Sequence, residues 1–177
     1  MSRLMDRIIR ASKLDVHLYE EVEADKGAMG QAMGVVVLSS IAAGIGSIGK
    51  GGLFGILIGV VFALIAWYVW AYITYLIGTK VLPEPKTKAG PGELLRTIGF
   101  SSSPGLIRVL GIIPGLTGVV FLGASIWMLV AMVIAVRQAL DYKSTLRAIG
   151  VCVVGWIIQS LILLLFFSIL DNTAKPV

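Results

Sequence analysis

Four long stretches of this sequence carry no charged side chain, and they limit what the chain can fold into. No Asp, Glu, Lys or Arg lies between Lys26 and Lys50, Lys50 and Lys80, Arg108 and Arg137, or Arg147 and Asp171. Each stretch exceeds the roughly 20 residues a helix needs to cross a hydrocarbon core about 30 Å thick. Of the 177 residues, 57% are hydrophobic and 14% charged, and mean hydropathy is +0.92. A soluble domain of this size needs far more polar surface. The expected fold is all-α and polytopic, an integral membrane protein with the bilayer as its first partner.

The remaining composition serves topology. A net charge of +5 would suggest nucleic acid in a soluble chain, but here it reflects loop orientation, and no nucleic-acid partner is expected. The single Cys152 lies inside a span, so no intrachain disulfide can form. No cleavable leader is expected: after Arg3 and Arg7 the only apolar run is Ile8-Ile9, so the spans themselves direct insertion.

Residues 1–27 read as a cytoplasmic amphipathic and acidic helical segment, and 28–177 as the transmembrane domain. In "SRLMDRIIRA", Leu4, Met5, Ile8 and Ile9 share one helical face and Arg3, Arg7 and Arg10 another. That pattern suits a basic helix lying on an anionic membrane surface; the alternative is a surface helix docked on the protein. "LDVHLYEEVEAD" follows, with Asp15 as an N-cap and a solvated carboxylate cluster of Glu20, Glu21, Glu23 and Asp25. His17 and Glu21 lie one turn apart, but a lone histidine makes a poor metal site. No metal or cofactor is expected.

Spans are expected near 30–48, 53–82, 115–136 and 148–170. Between the second and third of these lies "GFSSSPGLIRVLGIIPG", where prolines and glycines interrupt an apolar run around Arg108. Joined to "ELLRTIGFSSS" it is long enough to cross as a broken third helix. Five crossings with the N-terminus inside place the N-terminal, Lys80–Arg96 and Arg137–Arg147 basic groups in the cytoplasm, leaving Lys50 and Lys175 outside. Four crossings would turn Arg137, Lys143 and Arg147 outward. Five is the better fit, with the C-terminus outside.

Helices already in lipid associate by close approach and by polar contacts. Gly51, Gly55 and Gly59 form a four-residue stripe on the second span, and Gly111 and Gly115 repeat the spacing near the fourth. These are the expected packing positions. Trp67, Tyr68, Trp70, Tyr72 and Tyr75 read as an interfacial aromatic belt, while Arg108 and Gln159 are the conspicuous intramembrane polar groups.

Gly99-Phe100-Ser101-Ser102-Ser103-Pro104 resembles the Gly-Tyr-x-x-x-Pro motif of the Yip family of Ypt/Rab-interacting proteins, with Phe100 in place of tyrosine and Gly99 and Pro104 retained. "GLIRVLGIIPGL" and "ASIWMLVAMVIAVRQALDYKSTLRAIGV" look like its prokaryotic branch, and the likeness covers about residues 14–168. It implies five spans, a cytoplasmic N-terminus, an external C-terminus and a bacterial-type cell membrane. The Asp-Leu-Tyr-Gly-Pro motif of eukaryotic members is absent, so binding of small GTPases does not carry over. Ser101, Ser102, Ser103 and Cys152 have no histidine or acid–base pair nearby, which gives an enzyme little support. The expected role is a non-catalytic scaffold or accessory subunit, associating with its own copies or with other membrane subunits. The alternative is a small oligomeric transporter or channel using the broken span and Arg108.

Overall fold

The computed structural model describes residues 3–47 and 52–174, so Lys50, Gly51 and Lys175 lie outside the described residues. The chain is all-α. Among the described residues seven α-helices run in chain order: α1 Arg3–Ser12, α2 Val16–Ala24, α3 Met29–Gly46, α4 Gly52–Leu76, α5 Pro91–Phe100, α6 Thr117–Ala139 and α7 Thr145–Ala174. Among the described residues four helical stretches are long and apolar enough to cross a membrane: Lys26–Gly46, Gly52–Val81, Thr117–Ala139 and Thr145–Ile162. The protein is thus an integral, multi-pass membrane protein.

Local chemistry sets the helix ends. Asp15 caps α2 by accepting from the His17 N–H at 3.0 Å. Pro91 opens α5, where Glu93 reaches back to accept from the Gly90 N–H at 2.6 Å. Leu14 and Asp141 both adopt positive φ. They end α1 and α6 with wide backbone bonds, Asp15 N–H to the Arg10 carbonyl and Tyr142 N–H to the Arg137 carbonyl.

The broken element is α5 followed by a 3₁₀ helix over Ser103–Ile112. Pro104 explains the change, because it has no N–H to give and its ring would clash with the carbonyl four residues back. The chain continues as a 3₁₀ helix, which rises further per residue but seldom runs this long. Here α3 supports it. A Cβ on Gly99 would lie 2.8 Å from that of Ala32, one on Gly105 would strike the Ser39 hydroxyl, and one on Gly111 would lie 2.7 Å from the Gly46 carbonyl. The contacts advance in register, from Ala32 to Ser39 to Gly46 and from Gly99 to Gly105 to Gly111. The broken element therefore lies alongside α3 and points the same way, following it for about 21 Å.

The other helices close around this pair. Gly44 meets Ile56 and Gly59 meets Ser40, which sets α4 antiparallel to α3. Gly155 meets Trp70 and Ile77, while Gly150 meets Leu82, which sets α7 antiparallel to α4. A π-helical turn at Ile77–Val81 widens the end of α4, where Tyr142 donates its hydroxyl to the carbonyls of Gly78 and Leu82. The buried core gathers at this end, around Leu18, Tyr19, Val22, Leu94, Phe100 and Leu140. By contrast α4 stands at the edge, with 6% of its apolar window buried against 33% for α3.

Candidate functional site

Two polar regions emerge, one at each end of the broken element. The first is the docked N-terminal hairpin. Arg7 is 0% exposed, and every nitrogen of its guanidinium is engaged. Nε and Nη2 donate to Glu21 Oε1 at 2.9 and 2.7 Å, Nη2 also to Asp25 at 2.8 Å, and Nη1 to Gln31 Oε1 at 2.9 Å. Arg10 donates to Asp15 at 2.8 Å and to Glu21 Oε2 at 2.6 Å, and Arg3 approaches Asp25 at 3.2 Å. The three arginines thus face the acidic helix α2, with the planar fork of Arg7 gripping two carboxylates at once.

This arrangement changes the reading of both segments. Glu21, Asp25 and Asp15 act as counter-ions for the arginines, and hydrogen bonds from Arg7 and Arg10 hold these carboxyls below their usual range. His17 sits 3.5 Å from Glu20, while Glu21 turns to the arginines, so the one-turn pair does not converge. Among the described residues no three His, Cys, Asp or Glu side chains gather as a metal set. Arg96, read from the sequence only as part of a cytoplasmic basic group, is buried against the last turn of α2 and donates to the carbonyls of Val22 and Glu23. A cation there complements the helix dipole. Beside it Glu23 faces Asp141, Glu93 and Glu20; burial first and these like charges second push its carboxyl up to about 7.

The second region is a cavity of about 490 Å³ at membrane depth, partly open, between α3, α4, α6, α7 and the broken element. Ser39, Ser40, Ser102, Arg108 and Gln159 line it together with Trp67 and Trp70. Arg108 stands at the Gly46 end, where its carbonyl abuts Gly46. Its Nη2 donates to the Ser125 hydroxyl at 3.0 Å, and its guanidinium lies 5.5 Å above the Phe121 ring. Ser125 donates onward to the Phe121 carbonyl. Arg108 forms no ion pair among the described residues, and its Nε is buried without a partner, as are Trp70 Nε1 and Gln159 Oε1. The broken backbone does not occupy the arginine fork. Arg108 and Gln159, read separately as intramembrane polar groups, line one cavity.

Trp67 and Trp70 are buried, and Trp67 Nε1 donates to the Leu95 carbonyl at 3.0 Å. They belong to the bundle, whereas Tyr68 and Tyr72 face outward as an aromatic belt would. Phe100 and Pro104 are buried beside Gly99, so the Gly-Phe-x-x-x-Pro segment forms the hinge of the broken element. Gly111 is a tight contact and Gly59 an ordinary one, 3.9 Å from Ser40. Gly55 and Gly115 meet nothing within 4 Å among the described residues, and Gly115 serves a turn at φ +84°. Gly46, Gly99 and Gly105 carry the close approach instead.

Ser101 donates to the Ile98 carbonyl at 2.7 Å, and Cys152 is buried. No protein-family model matches the chain, and no curated protein or solved structure resembles it closely enough to count as a match.

Proposed function

We propose that this chain is a five-crossing membrane scaffold or accessory subunit, non-catalytic, with its N-terminus in the cytoplasm. The observation that carries the fifth crossing is the register of the broken element along α3. Ten residues of α5 and ten of 3₁₀ helix rise about 35 Å together, enough for a bilayer core. An element parallel to α3 on a membrane path crosses in the same sense. The basic residues support the same orientation, since the α1–α2 hairpin, Arg96, Lys143 and Arg147 gather at one end of the bundle. Arg147 lies 3.6 Å from Glu84, which also accepts from the Lys143 N–H. The likeness to the prokaryotic Yip branch agrees with this layout and is part of the proposal.

A scaffold reading rests on α4. Leu53, Phe54, Leu57, Val61, Phe62 and Ile65 all project away from the bundle. This face meets lipid in a lone copy and can receive a second copy or another membrane subunit. The polar cavity favours a second reading, a small oligomeric transporter or channel. Cysteine accessibility tests the topology. A cysteine at Thr87 or Ser144 should label only after permeabilisation, and one at Thr173 should label from outside. Labelling of Ser144→Cys in intact cells would overturn five crossings. Cysteines along Leu57, Val61 and Ile65 should crosslink to a copy or a partner under mild oxidation; lack of any crosslink would remove the scaffold reading.

A further inference from the structure

The cavity around Arg108 is unfinished as protein. Among the described residues its cation has no carboxylate partner, its Nε–H has no acceptor, and the Trp70 indole N–H, on a residue only 6% exposed, has none either. Gln159 Oε1, in contrast, lacks a donor. Buried polar groups of this kind are normally satisfied, by water or by a ligand. The chemistry of these groups matches an anionic acceptor beside Arg108 and a hydroxyl donor near Gln159. Gln159 lies one turn beyond Gly155, which touches Trp70, on the side toward Arg108. Arg108, Gln159 and Trp70 all line the one cavity.

We propose that this cavity is a lateral binding site for a phosphate-headed membrane lipid whose head also carries hydroxyls, as a phosphatidylglycerol does. Arg108 takes the phosphate, since a planar guanidinium with free donors matches phosphate oxygens. The head hydroxyls donate to Gln159. The lining runs from Val36 to Ala43 on α3 and from Ala63 to Trp70 on α4, each about 10 Å along its axis. That length suits a head and the start of a chain, and 490 Å³ falls within the roughly 300–1,000 Å³ of ligand pockets. Arg108 marks the polar end. Trp67, beside Leu95, closes the other end with an aromatic wall.

The source is the bilayer because of where the cavity opens. Ala66, Trp156 and Ser160 line it and are themselves exposed, and all three lie within candidate spans. The α4–α7 contacts at Trp70, Ile77 and Leu82 sit at the charged end of the bundle. The mouth lies beyond them, facing acyl chains. A lipid can enter sideways without leaving the membrane.

Dioctanoyl phosphatidylglycerol, dioctanoyl phosphatidylcholine and glycerol phosphate should be titrated into delipidated protein in neutral detergent, following tryptophan fluorescence and melting. Three of the chain's four tryptophans line the cavity. Phosphatidylglycerol should saturate the signal and raise the melting temperature, with phosphatidylcholine about tenfold weaker. Arg108→Gln should remove that preference, and Arg108→Lys should keep only part of it. Ser160→Phe, at an exposed position on the mouth, should abolish the response while leaving the unliganded melting temperature unchanged, which separates binding from folding. Equal response to the two lipids, or an undiminished response in Ser160→Phe, would overturn the site. Saturation by glycerol phosphate alone would reassign it to a soluble phosphate and overturn the lipid.

Discussion

The two ends of this bundle hold their arginines in opposite ways, Arg7 fully buried and Arg108 half-buried. At the charged end Arg7 has two carboxylates and an amide, and nearly every donor is used. At the other end Arg108 has one serine hydroxyl and an aromatic face. A cation with four of its five donors used locks α1 to α2 and, through Gln31, to α3. A half-satisfied one keeps binding capacity in reserve. The backbone follows the same division. The hairpin, Arg96 and Tyr142 tie several chain segments together at the charged end, while α4 and the mouth of the cavity stay open at the other.

The largest expected effect comes from breaking the satisfied end. Arg7→Met removes the cation that joins Glu21, Asp25 and Gln31, leaving Glu21 to Arg10 and Asp25 to Arg3, so stability in detergent should fall by about 3 kcal/mol through the lost charged hydrogen bonds. Thermal melting checks this. A variant that melts like the parent would mean that the hairpin is dispensable and that the ends do not differ in kind. The Arg108→Gln variant, by the same comparison, should cost distinctly less, because no buried partner is orphaned.

Close backbone approach gives the next effect. Gly46→Ala would drive a methyl into the Arg108 carbonyl and should cost about 2 kcal/mol through overpacking. Gly55→Ala meets only open space and should be neutral or gain about 0.5 kcal/mol from helix propensity. Gly55→Leu sharpens the point. It should leave a lone copy unaffected, so a loss of stability or of copy–copy crosslinks would place a partner on that face.

These glycines show how far the sequence could be read. The charge-free gaps located the long helices, and the prolines located the broken one. Spacing alone, however, treats every small residue on a stripe alike. It pointed to Gly55, Gly59 and Gly111, of which Gly111 alone is tight, and other close contacts fall on Gly46, Gly78, Gly99 and Gly105, because only the partner helix determines which face is used. The basic stripe of α1 was legible as amphipathic, but its direction was not. Glu21 and Asp25 lie one turn apart on α2, and that acidic face was the available signal for pairing with Arg3, Arg7 and Arg10. Ser39 and Ser40 are adjacent hydroxyls in the middle of α3, a mark of the cavity that hydropathy alone averages away.

The cavity wall is tied to α5 by a hydrogen bond from Trp67 Nε1 to the Leu95 carbonyl. Trp67→Phe keeps an aromatic wall and loses the donor. It should cost about 1 kcal/mol and loosen α4 from α5. Faster hydrogen exchange in α4 would register the change. Exchange unchanged from the parent would show that packing, without the bond, holds this contact.

The smallest effect concerns the shape of the pH dependence. Asp15, Glu21 and Asp25 have folded values below their unfolded ones, so their contribution is present above about pH 4 and is lost as acid protonates them in the fold. Glu23 has the opposite sign. Its folded value is about 7 against 4.5 unfolded, so its protonation favours the fold fully below 4.5, and that gain disappears as pH rises through 7. The two trends place the stability maximum on the acid side of neutrality, between the two sets of groups. Glu23→Gln mimics the protonated carboxyl and should flatten the decline between about pH 4.5 and pH 7. The acid limb should stay where it is, because Arg7 and Arg10 and their carboxylates are untouched. Melting curves across this range separate the two limbs. If Glu23→Gln keeps the parental slope above pH 5, the decline belongs to another group, and the carboxylates of Glu20, Glu93 and Asp141 around Glu23 do not control the charged end.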